Sequence, residues 1–119
     1  MSNAYSDTLE KLLSQANPEL FTTHPITFKN CFGAIAGYVD DRIFVSCGKF
    51  GVALRLPPEV LTALLKEMGV SRLRYFPKGH VKKEYAVLPR RMIDNQDRFR
   101  ELLDKSVTFV LSMSPSFFS

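Results

Sequence analysis

The chain has 119 residues, 45% of them apolar, with ten Phe and four Tyr and a net charge of +4. That length suits one domain burying roughly two-thirds of its unfolded surface, and the aromatic content supplies a core without a metal or disulfide staple, which excludes an intrinsically disordered chain. No apolar run approaches the ~20 residues that a bilayer-spanning helix needs, and Met1–Asp7 lacks the charged and apolar regions of a signal peptide, so the expectation is a cytoplasmic protein with no membrane partner.

The first predicted element is a helix from about Ser6 to Ala16. Tyr5, Leu9, Leu12, Leu13 and Ala16 recur at helical spacing, and Asp7 with Glu10 is spaced as a capping box. Asn17-Pro18 stops it. Thr22-Thr23-His24-Pro25 reads as a connector, and Ile26-Thr27-Phe28-Lys29 alternates with a period of two, as a half-buried strand does. Cys31-Phe32-Gly33-Ala34 then turns the chain into a meander. Its strands lie near Ile35–Val39, Arg42–Cys47 and Val52–Leu56, joined by an Asp40-Asp41 turn and a turn over Gly48–Gly51. Connections this short make antiparallel neighbours.

Pro57-Pro58-Glu59 opens a second helix, whose apolar face is Val60, Leu61, Leu64, Leu65 and Met68 before Gly69 ends it. Arg72–Phe76 and Val81–Leu88 flank Pro77-Lys78-Gly79-His80 and are predicted to form a β-hairpin. Asp94 caps a last helix through Phe99, Leu102, Leu103, Val107, Val110 and Leu111. The order helix, strand meander, helix, hairpin, helix is α+β with an antiparallel sheet, not the strand–helix alternation of a parallel one. It makes residues 1–119 a single domain with its core at about 5–112 and a tail over 113–119.

Few residues suggest catalysis. Cys31 and Cys47 stand sixteen residues apart with no second pair or histidines at ligand spacing, so buried thiols are expected rather than a zinc site. His24 and His80 sit in turn-like settings without an orienting carboxylate in sequence. Asp40-Asp41 reads as a turn former. Gly48-Lys49-Phe50-Gly51 lacks phosphate-loop spacing and joins two strands instead of opening a helix. No nucleophile elbow or dinucleotide fingerprint is present. The expectation is a protein that is not an enzyme and uses no cofactor or metal.

Charge is the most informative feature. Residues 71–91 hold Arg72, Arg74, Lys78, Lys82, Lys83, Arg90 and Arg91 against Glu84 alone, a local charge of +6 with −2 over the remainder. These seven are candidates for contact with an anionic partner, and Tyr75, Phe76 and Tyr85 are candidates to stack or pack beside them. The alternative is a solvated hairpin whose lysines keep an edge strand from pairing with other chains. If Phe76 pairs with Val81, then Arg72, Arg74 and Lys83 share a face with Phe76, Val81 and Tyr85.

Phe28-Lys29-Asn30-Cys31-Phe32-Gly33-Ala34, followed by Tyr38-Val39-Asp40-Asp41, Phe44 and Gly51-Val52-Ala53-Leu54-Arg55, resembles the N-terminal domain of the TfoX/Sxy competence regulators. Tyr75 with Lys78 and Gly79, then Tyr85 with Leu88-Pro89, continues the likeness over about residues 5–112. Asn30-Cys31 and Ala34 depart from the family's basic-Met and Phe-Gly-Gly pattern. The matched residues also have structural roles, with Phe32 and Phe44 filling a core and Tyr38 and Tyr85 placing rings on a sheet. The resemblance implies a two-layer, secretion-chaperone-like fold in a single-domain member. It also implies a role in controlling DNA-uptake genes together with the cyclic-AMP receptor protein, hence a protein or DNA partner, with a protein of the transcription machinery favoured. Full-length members carry a second, helical domain, and activity belonging to it is not carried over.

Three functional readings follow. The first is a non-enzymatic regulatory or adaptor domain that binds another macromolecule. The second is direct nucleic-acid binding through the basic hairpin at 72–91, and the third is a homodimer formed through a strand edge or the Phe117-Phe118 tail.

Overall fold

The computed structural model describes residues 4–114, so the Phe117-Phe118 tail lies outside the described residues. Six strands form one antiparallel sheet: β1 (Ile26–Cys31), β2 (Ala34–Val39), β3 (Arg42–Gly48), β4 (Gly51–Arg55), β5 (Ser71–Leu73) and β6 (Lys82–Leu88), in the order β1-β2-β3-β4-β6-β5. The first three connections are two-residue turns. Phe32-Gly33 (φ 51° and 81°) and Asp40-Asp41 (φ 48° and 63°) both place two successive residues in the left-handed region, which matches the right-handed twist of the flanking strands. The expected α+β class and antiparallel meander are what the structure has.

The helices differ from expectation mainly at their ends. In α1 (Ala4–Ala16), Asp7 already lies inside the first turn, so it cannot serve as the cap of an Asp7–Glu10 box. A short helix, α2 (Leu20–Thr23), runs into the predicted connector, and its Thr22 and Thr23 hydroxyls donate to the Glu19 carbonyl at 2.8 and 3.0 Å. α3 (Pro58–Leu64) stops early in a turn that Gly69 completes at φ 85°, leaving Met68 86% exposed instead of on the apolar face. Asp94 ends a separate short helix, α4 (Arg90–Asp94). The cap of α5 (Gln96–Leu111) is Asn95, whose Oδ1 accepts from the Arg98 amide at 3.1 Å.

Helices α1 and α5 lie on one face of the sheet against β2 and β3, with α3 against β6. A β-bulge shapes this face: Gly37 pairs with Val45 and Tyr38 with Ile43, so Phe44 is the extra residue. Phe44 and Val45 consequently both enter the helix-side core. The Phe44 carbonyl accepts instead from the buried Ser106 hydroxyl of α5 at 3.0 Å. Gly37 makes the arrangement possible, because a Cβ there would stand 2.6 Å from Val45 Cγ1.

The basic hairpin forms with a different register. Ser71 pairs with Val87, Arg72 with Ala86 and Leu73 with Lys82, while β6 also pairs with β4 along its other edge. Phe76 and Val81 therefore do not pair, and residues 74–81 leave the sheet. Two physical causes are visible. Pro77 has no amide to give a ladder, and Tyr75 reaches a buried hydrogen-bond partner, Ser46 of β3, that an extended strand would not let it touch.

Candidate functional site

The helix-free face of the sheet carries a second apolar cluster. Ala34, Ala36, Ser46, Gly48 and Ala53, all buried, leave a low floor, with Tyr38, Ile43, Leu73 and Tyr85 standing beside it. Phe50 and Tyr75 cover that floor, their rings 5.6 Å apart and perpendicular at 89°. The Tyr75 hydroxyl donates to Ser46 Oγ at 3.1 Å, and Ser46 in turn donates to the Ile35 carbonyl at 3.3 Å. Two lysines lie over rings of the same face: Lys29 Nζ is 4.8 Å from the Tyr38 centroid and Lys82 Nζ is 6.0 Å from that of Tyr75.

Burial pushes the Tyr75 phenol up to about 12, with the Ser46 hydrogen bond opposing the shift and the adjacent Cys31 thiol adding to it. Burial also raises Tyr85. Both phenols are held neutral by folding, so the stability they contribute is complete below the ordinary tyrosine value of 10.0, and the Tyr75 share is lost as pH rises through about 12. Denaturant midpoints measured across that interval should fall with pH, and less steeply in Tyr75→Phe. An identical slope in the variant would show that Tyr75 titrates normally.

Above the covered floor, Phe32 is 64% and Phe76 53% exposed. Phe32 contacts Tyr75 at 5.6 Å and Phe76 at 5.5 Å, both tilted or edge-on. Between these rings and Phe50 runs a groove of about 550 Å³, lined also by Ala34 and Pro77 and flanked by Lys49 and Arg74. Three pieces of chain build it: the β1–β2 turn, the β3–β4 turn and the 74–81 segment, which is held by a Phe76–Gly79 turn with its amide-to-carbonyl bond at 2.9 Å. Phe32 keeps φ at 51°, a conformation costly for a bulky side chain.

The seven basic candidates do not converge. Arg74 and Lys82 belong to this face with Tyr75 and Phe76, and Lys78 is exposed on the adjoining turn. Arg72, paired with Ala86, points to the helix side and donates to the carbonyl of the exposed Lys83 at 3.3 Å. Arg90 sits on the helix layer, bonded to Asp94 at 3.0 Å, and the Arg91 guanidinium packs near Gly69. Tyr85 is only 8% exposed, so its ring is unavailable for stacking. It stands next to Arg55, which is engaged by Glu84 at 2.9 Å.

Sequence reasoning missed Lys29, Lys49 and Phe50 and assigned Phe32 to the core. The available signal was positional. A Phe directly before Gly in a two-residue turn has its side chain at a hairpin tip, where a core cannot reach it. Of the cysteines, Cys47 is buried, which raises its thiol pKa, while Cys31 is half-buried beside Tyr75. His24 Nδ1 lies 3.1 Å from Asp40 Oδ2 and braces the β2–β3 turn. Among the described residues, no group of three or more His, Cys, Asp or Glu could hold a metal ion, and no helix is long and apolar enough to cross a membrane.

The model of one protein family, the TfoX N-terminal domain, matches residues 19–110, a stretch that contains the whole sheet and every residue of this face. No curated protein and no solved structure matches the chain. The chain belongs to the TfoX N-terminal domain family.

Proposed function

We propose that this TfoX N-terminal domain is a non-enzymatic regulatory or adaptor module that acts by binding another macromolecule through the Phe32–Phe76 face. The carrying observation is that two large, exposed rings stand against one another at turns beside the sheet, with one of them in a strained backbone conformation. Exposed apolar patches mark interaction sites, and aromatic residues are enriched among those that dominate interface energy. Binding rather than catalysis is supported by the polar groups beneath. The Ser46 and Tyr75 hydroxyls are engaged with each other and with a main-chain carbonyl, not turned toward the groove. The competence-regulator family supports a partner in the cytoplasmic transcription machinery.

The test is quantitative capture from an extract of the native cells with wild type and a Phe32→Asn/Phe76→Ser double variant. Asn tolerates the left-handed conformation, so the variant should melt within about 1 kcal/mol of wild type, or above it. It should hold its stoichiometric partner about tenfold or more weakly, as loss of interface aromatics predicts. Equal retention by both proteins would overturn the reading.

Direct nucleic-acid binding through 72–91 is the second reading, favoured by the +6 charge of that segment. Arg72, Arg90 and Arg91 lie away from Arg74 and Lys82, which opposes one continuous phosphate track. Duplex and single-stranded DNA titrated at two salt concentrations separate the readings, because affinity resting on phosphate contacts falls steeply with salt.

A further inference from the structure

On the helix layer four basic groups are paired with the protein's own carboxylates: Arg90 with Asp94, Arg98 with Glu67, Arg100 with Asp104 and Lys105 with Glu101. The segments that build the groove, residues 27–39, 42–58 and 68–83, contain none of the chain's 12 acidic residues, and the one carboxylate that reaches this side of the sheet, Glu84, is engaged by Arg55 beside Tyr85. Among the described residues, Lys29, Lys49, Arg74 and Lys82 have no carboxylate partner. A surface that leaves its cations unpaired around an apolar groove is complementary to an anionic ligand with an apolar projection.

From this we infer that the groove between Phe32, Phe50 and Phe76 takes an aromatic or long aliphatic side chain from an acidic peptide segment of the partner, with Lys49 and Arg74 pairing the flanking carboxylates. The inference rests on the binding role proposed above and specifies its ligand. Peptide is favoured over single-stranded nucleic acid by the ring geometry. Phe32 meets Tyr75 and Phe76 at 57° and 66°, and Phe50 meets Tyr75 at 89°, so the rings form a walled depression. Bases bind on flat ring faces arrayed along a cationic track. A depression of about 550 Å³ floored by Ala34 accommodates one or two side chains, as the central pocket of an interface does.

The experiment selects a phage-displayed library of random dodecapeptides on the wild-type protein, with counter-selection on Phe32→Asn/Phe76→Ser. The consensus peptide, a charge-swapped copy carrying Lys for Asp and Glu, and oligothymidylate are then titrated in parallel by fluorescence anisotropy. The expected consensus is one aromatic or Leu/Ile/Met residue flanked by Asp or Glu. Its affinity should fall about tenfold or more in Phe32→Asn and in Lys49→Glu/Arg74→Glu, and fall with salt, while the charge-swapped copy does not bind. A consensus without acidic residues, affinity unchanged in Lys49→Glu/Arg74→Glu, or oligothymidylate binding that depends on Phe32 and Phe76 would each overturn the inference. If any of these occurs while capture from extract still depends on Phe32 and Phe76, the ligand class is wrong and the binding role stands. Loss of that dependence in extract removes both.

Discussion

Phe44→Ala is expected to lower stability by about 3–5 kcal/mol, the range for truncating a fully buried aromatic ring. Phe44 has no exposed surface and sits at the bulge of β3, where it and Val45 both enter the core under α5. Truncation removes the ring's contacts and loosens α5, whose Ser106 hydroxyl is bonded to the Phe44 carbonyl. Chemical denaturation followed by circular dichroism measures the loss as a lower midpoint with little change in slope. A loss below about 1 kcal/mol would mean that the bulge does not hold Phe44 in the core. The contrast with Phe32 is what bears on function. The same residue type at a two-residue turn is 64% exposed and strained, and its replacement should cost stability almost nothing. Two phenylalanines within one meander thus stand in opposite settings, one in the core and the other at an exposed turn.

How much of this could be read from the sequence follows the range of the forces involved. The meander was legible because its turns are chemically local: Asp40-Asp41 and Phe32-Gly33 adopt paired positive φ values, for which Asp and Gly are suited. The apolar periodicity of α1 and α5 was legible for the same reason. The basic hairpin was only half legible. Its strands and its Pro77–Gly79 turn were marked locally, but its register is set by Tyr75 bonding to Ser46, a residue 29 positions away on another strand. The boundary between α4 and α5 was hidden because Asp94 and Asn95 are both good caps, and the choice falls to the helix whose packing buries Phe99. The spatial grouping of the basic candidates was hidden for a related reason. Counting charge along residues 71–91 treats neighbours in sequence as neighbours in space, whereas pleating sends Arg72 to one face and Leu73 to the other. The cations beside the exposed rings come from β1, the β3–β4 turn and the 74–82 stretch, and no window of sequence contains them all.

Gly48→Ala is expected to damage the face more than the fold. Gly48 lies in β3 with ordinary backbone angles, so alanine is conformationally allowed there and any cost comes from crowding. A Cβ would stand 2.8 Å from the Cβ of Ala34 and 3.0 Å from Cε2 of Phe50. Overpacking a tight site of this kind costs about 1–3 kcal/mol. The Phe50 ring can swing aside, whereas the closer contact with Ala34 Cβ is relieved only by shifting β2 against β3; Phe50 supports Tyr75, which in turn supports Phe32. Partner affinity should therefore fall in protein that remains fully folded, and the aromatic proton shifts of Phe50, Tyr75 and Phe32 should move together in the NMR spectrum. The register of β2 against β3 places Ala34 opposite Gly48, so adding Ala34→Gly transfers one methyl across the strand pair at constant volume. The double variant should recover stability and the Phe50 shift beyond the sum of the single changes. Additivity within about 0.5 kcal/mol, or an unmoved Phe32 in Gly48→Ala, would show that the floor of small residues does not position the exposed rings.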